Sequence, residues 1–188
     1  MNRFKGKFGY LKRKKVFLAI VSAFFLLGIA GLFIIGYVVS KSRVNLFSIA
    51  AVIMAIPGAM AIAQFFGIVS FKGRSKEEYD ALSEIVNGGI LDCELVIANK
   101  DGKSYQISYA VVAEDGIVAF TADTKADTRK AQEYIRNFLR LNEVDTPLSI
   151  TNDYRVFLKQ VKSKTLPVRE TCDDIYLRQE GILLAISM

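Results

Sequence analysis

The chain has 188 residues, of which 52% are hydrophobic, with 25 Lys and Arg against 19 Asp and Glu, two Cys and no His. This length allows one domain of ordinary size with an appended segment, and not two full domains. The lack of His excludes Ser-His-Asp and Cys-His catalysis and every His-ligated metal site. Cys93 and Cys172 form no CxxC pair, so they indicate neither a disulfide framework nor a zinc site.

Two long apolar runs occupy the first part of the chain. Residues 16–39 are 24 positions without a charge, and residues 44–71 form a second uncharged run that contains Pro57. A helix of 24 residues is about 36 Å long, enough to cross the ~30 Å hydrocarbon layer of a membrane. The apolar part of a secretory signal is only about 7–15 residues long, so an anchor fits the first run better. We therefore predict two transmembrane helices, which the short loop at 40–43 makes an antiparallel hairpin.

The basic residues flank this hairpin unevenly. Residues 1–15 carry seven Lys and Arg and residues 72–76 carry three, whereas the loop between the runs has only Lys41 and Arg43. By the positive-inside rule, the protein lies in the cell membrane as a two-span protein with both termini in the cytoplasm. The predicted organisation is a basic juxtamembrane segment (1–15), the hairpin (16–71) and a cytoplasmic domain (72–188).

The charge balance also bears on partners. Residues 72–188 hold 16 basic and 19 acidic groups, a net charge of −3, although the whole chain has a pI near 9.3. A slightly acidic domain disfavours nucleic acid as a partner. The basic amino terminus is instead expected to contact the anionic headgroups of the lipid bilayer.

Small residues recur every four positions along the second run, at Ala51, Ala55, Ala59, Ala63 and Gly67. Such a face lets another backbone approach closely. We expect it to pack against the first helix, a second copy of the chain or another membrane protein.

Local patterns in residues 72–188 predict an α+β domain with helices against one sheet. Ser75-x-x-Glu78 is a capping box that starts a helix, which Gly88-Gly89 ends. Glu114-Asp115-Gly116 predicts a hairpin turn, and Glu180-Gly181 predicts the turn of a terminal hairpin. The expected order is αβββαβαββ, with strands at 90–97, 104–113, 117–122 and 147–151, helices at 75–87, 125–141 and 153–161, and the terminal hairpin at 175–187.

The order helix, three-stranded meander, helix, strand over residues 75–151 resembles the core of the restriction-endonuclease-like fold, which has membrane-associated relatives. The rest of the chain resembles a two-span bacterial-type membrane protein. The nuclease resemblance implies an acid on the second strand and a Glu/Asp-x-Lys on the third, which together hold Mg²⁺ and orient a water. Asp123-Thr124-Lys125 supplies such a tripeptide just past the third strand.

The second strand departs from that pattern, because it offers Ser108 and Tyr109 where an acid is expected. Asp92 or Glu94 on the first strand would then have to substitute for it. The tripeptide also has a structural interpretation, since Thr124-x-x-Asp127 is itself a capping-box pattern. Asp123 and Thr124 would then start the long helix, and no catalytic residue would be needed.

Two functional hypotheses follow. The first is a membrane-anchored domain that binds a protein or senses a ligand without catalysis and without a cofactor. The alternative is a membrane-bound, Mg²⁺-dependent hydrolase or transferase that uses Asp92, Glu94, Asp123 and Lys125. Convergence of these four side chains on one cleft favours the enzyme, and their separation favours the binding domain.

Overall fold

A computed structural model describes residues 5–42, 45–98 and 104–187. The chain divides into two units, one of residues Lys12–Lys72 and one that joins the residues up to Leu11 with those from Gly73 onward. Arg43 and Val44 of the predicted loop and second span, and the turn predicted at Asp101-Gly102, lie outside the described residues.

The first unit is built on two long apolar helices, α1 (Tyr10–Ser40) and α2 (Leu46–Val69). Both are long and apolar enough to cross a membrane, by length and composition. Asn45 caps α2 by accepting the N–H of Ser48 at 2.9 Å. The ammonium of Lys15 donates to Val69 O at 2.8 Å and to Phe71 O, so the start of α1 lies beside the end of α2. Because Lys is a cation, it also stabilises the negative end of the α2 dipole.

Within the first unit, α2 buries residues that include only one member of the predicted small-residue face, so the packing of that face against a second copy or another membrane protein stays a prediction. Ala51 is the one member of that face that is buried, whereas Ala59 and Ala63 are exposed. A helix turns about 100° per residue, so a four-residue repeat drifts around its surface while a seven-residue repeat stays on one side. The buried positions follow the seven-residue spacing, and they are Ala51, Gly58, Ala61 and Ile68.

The described residues of the second unit form four strands and four helices. These elements are α3 (Lys76–Val86), β1 (Ile90–Ala98), β2 (Ser104–Ala113), β3 (Gly116–Phe120), α4 (Thr128–Leu141), β4 (Leu148–Thr151), α5 (Tyr154–Lys162) and α6 (Asp174–Ile186). The strands make one mixed sheet in the order β1-β2-β3-β4. β1, β2 and β3 form an antiparallel meander, and β4 pairs parallel to β3 after the crossover helix α4.

The helices cover both faces of the sheet. On one face, α4 and α6 pack through side chains such as Ile135 and Leu183. On the other, α3 and α5 pack through Leu82 and Phe157, and the Phe157 ring lies 6.5 Å from that of Tyr109 on β2. The sheet is therefore the buried middle layer, which explains why nearly every residue of β2 is buried.

The terminal hairpin predicted at 175–187 is wrong, because these residues form helix α6. Its buried residues recur at helical spacing, at Gln179, Glu180, Leu183 and Leu184. Gly181, the predicted turn residue, lies inside the helix, where an added Cβ would meet no described atom within 4 Å beyond the neighbouring backbone of its own helix.

The start of the helix predicted at 125–141 is also corrected. α4 begins at Thr128, and Asp127 is its N-cap, with Oδ1 accepting the N–H of Lys130 at 3.1 Å. Asp123 instead accepts the N–H of Lys125 at 2.9 Å in a local turn. The capping role therefore belongs to the last residue of the Thr124-x-x-Asp127 pattern, and residues 121–127 connect β3 to α4.

Candidate functional site

Two buried acids on β1 hold the chain segments that adjoin the apolar unit. Asp92 is 2% exposed and Glu94 is 4% exposed, and each lies against a glycine of a different segment. Charged groups are rarely buried without partners, because the loss of hydration is costly. The contacts of these two side chains therefore indicate what the site does.

Glu94 contacts both segments at once. Its Oε2 accepts the backbone N–H of Leu11 at 2.8 Å. An added Cβ on Gly73 would lie 2.6 Å from Oε1, so only glycine fits there without a shift. Leu11 ends the first segment of the folded unit and Gly73 begins the second. One carboxylate thus contacts both of the chain segments that make up this unit.

The backbone N–H of Leu11 needs an acceptor from outside its own helix. It belongs to the first turn of α1, where backbone N–H groups have no acceptor within the helix. Glu94 therefore acts as a remote cap, and its negative charge also suits the positive end of the helix dipole.

The backbone of β1 is distorted to present Glu94. Its φ is +55°, in the left-handed region that non-glycine residues seldom adopt. Cys93 and Tyr109 pack in one core, whereas Leu95 and Ile107, two residues away, pack in the other. Residues two apart in a regular strand face the same side, so β1 and β2 both change face at this point. Such strain is typical of functional positions.

Asp92 lies under the amino-terminal segment. Gly6 has φ +78°, and an added Cβ there would collide with Oδ1 of Asp92. Beside this contact, Gly6 O accepts the N–H of Cys93 at 2.7 Å.

A third buried acid, Glu180 of α6, forms a carboxyl pair with Asp92. Glu180 is 5% exposed and accepts from Arg169 at 2.6 Å. Burial and the charge and hydrogen bond of Glu180 raise the pKa of Asp92 to about 8, against a smaller opposing effect of Arg169. At neutral pH Asp92 is therefore mostly the neutral acid, which can donate its proton to Glu180.

Two further contacts fix the amino-terminal segment. The Lys5 ammonium donates to Leu184 O at 2.9 Å and to Ser187 O at the end of α6. The ring of Phe8 stacks on that of Tyr79, with centroids 5.0 Å apart. Residues 5–11 thus pack within the folded unit, which the interpretation of residues 1–15 as a juxtamembrane segment did not foresee. In the sequence, Gly6 and Gly73 are the residues that could have indicated this packing, because each lies close to a buried acid.

The four candidate catalytic residues differ in their surroundings. Asp92 and Glu94 are buried under Gly6 and Gly73, whereas Asp123 and Lys125 are exposed on the turn after β3. In residues 5–42, 45–98 and 104–187, no group of three or more Cys, Asp or Glu side chains is arranged to hold a metal ion. The Oγ of Ser108, where an acid was expected, accepts the N–H of Ala122 at 3.1 Å.

No protein-family model, curated protein or solved structure matches this chain significantly. The resemblance to the restriction-endonuclease-like fold therefore depends on the order of the elements in residues 75–151 and on one tripeptide.

Proposed function

We propose that this protein is a non-catalytic, membrane-anchored binding domain, inserted by a two-helix hairpin and exposed in the cytoplasm to a protein or ligand. The excess of Lys and Arg outside the loop between the helices supports this topology, with ten such residues on the terminal sides and two in the loop.

The main support for the proposal is the hydrogen bond that the Leu11 N–H donates to the Glu94 carboxylate. A metal-dependent hydrolase needs ionised carboxylates that are open to a metal and a substrate. Glu94 is committed to the backbone, and Asp92 is mostly neutral at pH 7 under Gly6. Both acids thus contact the chain segments of their own folded unit, and neither is left as an open carboxylate for a metal and a substrate.

The topology can be tested by thiol labelling. A Cys introduced at Ser42 should react with a membrane-impermeant reagent added to intact cells, whereas Cys172 should react only after the membrane is opened. Labelling of Cys172 from outside would contradict the cytoplasmic placement.

The function can be tested on the full chain purified in mild detergent. We expect a protein or small molecule to co-purify in stoichiometric amount and to rebind after separation. We also expect Mg²⁺ and Mn²⁺ to leave the melting temperature unchanged. A metal-dependent rise in the wild type that Asp123→Asn abolishes would instead support the hydrolase alternative, because a bound ligand stabilises the folded state.

A further inference from the structure

Helix α4 presents an exposed row of arginines. Arg129, Arg136 and Arg140 lie within an arc of about 40° on the side away from the buried Ala131 and Ile135. None of the three guanidinium groups makes an ion pair or hydrogen bond with another residue in the described part of the chain. They form a charged surface in a domain whose overall charge is negative.

Helix α3 presents the opposite charge. Glu77, Asp80 and Glu84 are exposed on one side of it, opposite the buried Leu82 and Val86. These three carboxylates likewise make no ion pair or hydrogen bond with the residues that the structure describes. The domain therefore carries an acidic row and a basic row on separate helices.

The two rows match in spacing. Asp80 and Glu84 are four residues apart, as are Arg136 and Arg140, so each pair spans about 6 Å along its helix. α3 and α4 cover opposite faces of the sheet, so these rows cannot meet within one copy. They can meet only between copies.

We propose that α4 is a docking surface for a second copy of this chain, which contributes the acidic row of its α3. This inference rests on the proposed binding function and names the partner. The contact is head-to-tail, because different surfaces of the two copies meet. The copy that contributes its acidic row keeps its basic row free and the other copy keeps its acidic row free, so each can contact a further neighbour.

The composition of the α4 surface favours a protein over a uniformly anionic partner. Glu133 lies within the row of arginines, and Asp145 lines the same surface beside Arg136 and Arg140. These carboxylates would repel a nucleic-acid backbone or an anionic lipid surface. A protein helix with separate acidic side chains can place them against the arginines alone.

The contact can be tested by crosslinking two tagged copies of the full chain, co-expressed in one membrane with Cys172→Ser. One copy carries Ala81→Cys beside the acidic row, and the other carries Asn137→Cys beside the arginines. We expect a bismaleimide crosslink between the tags that falls at least tenfold in 1 M salt, because salt screens exposed charges.

Charge reversal tests whether the acidic row of one copy contacts the basic row of the other. Arg136→Glu with Arg140→Glu in the second copy should abolish the crosslink, and Asp80→Arg with Glu84→Arg in the first copy should restore it. Each reversed chain should melt within a few degrees of the wild type, since all four positions are exposed. Absence of the wild-type crosslink, or failure of the double reversal to restore it, overturns the proposal. Co-purification of a different protein would meanwhile preserve the binding function.

Discussion

The backbone N–H of Leu11 donates to the Glu94 carboxylate at 2.8 Å, across 83 positions of the chain. The other oxygen of that carboxylate lies against Gly73, where the chain returns from the apolar hairpin. Glu94, a buried acid on β1, therefore contacts the backbone of both chain segments. Glu94 adopts a strained φ of +55° in the conformation that places its carboxylate between Leu11 and Gly73.

The first prediction concerns the glycine beside Glu94. Gly73→Ala should destabilise the folded unit by about 1 kcal/mol, because the new Cβ must displace the carboxylate that bonds Leu11. Thermal melting of the full chain in detergent measures this effect. A matched control is Gly67→Ala, where an added Cβ meets no described atom within 4 Å beyond the neighbouring backbone of its own helix. Equal melting of the two variants would show that Gly73 is not constrained.

A second glycine substitution tests the corrected carboxyl terminus. Gly181→Ala should stabilise the protein by about 0.5–1 kcal/mol, because alanine is the better helix former and the position has open space. If residues 175–187 instead formed a hairpin around Glu180-Gly181, the same change would weaken the turn. A lower melting temperature in the variant would thus count against α6.

The third prediction is a pH dependence. The pKa of Asp92 is raised from 3.8 to about 8, so its protonated form stabilises the folded state fully below pH 4, and this contribution is lost as the pH rises to 8. Asp92→Asn removes the charge and keeps a hydrogen-bond donor for Glu180. We expect the variant to melt several degrees above the wild type at pH 8, with little difference at pH 4. A difference that is independent of pH would contradict the assignment.

The fourth prediction separates the two aspartates near the start of α4. Asp127→Ala should cost about 1 kcal/mol, since its carboxylate caps the Lys130 N–H. Asp123→Ala should cost less, because Asp123 lies in an exposed turn and caps no helix. Urea denaturation of the two variants side by side measures the difference in stability. A larger loss in Asp123→Ala than in Asp127→Ala would indicate that Asp123 is the helix cap.

Local patterns predicted the elements whose signals are local. The Ser75 cap places the start of α3, and β2 has the predicted bounds, because a capping box and an apolar run specify structure over a few residues. Gly181 misled the prediction, since a glycine in a helix with free space looks like a turn residue in sequence. The role of Glu94 could not be predicted, because it depends on Leu11, which only the folded chain brings close.

Hydrogen exchange at the Leu11 amide measures whether Glu94 holds together the two chain segments of the folded unit. This amide has no acceptor within its own helix, so its protection depends on Glu94. We expect slow exchange in the wild type and in Glu94→Gln, which keeps an acceptor oxygen, and exchange at least tenfold faster in Glu94→Ala. An unchanged Leu11 exchange rate in Glu94→Ala would contradict the account.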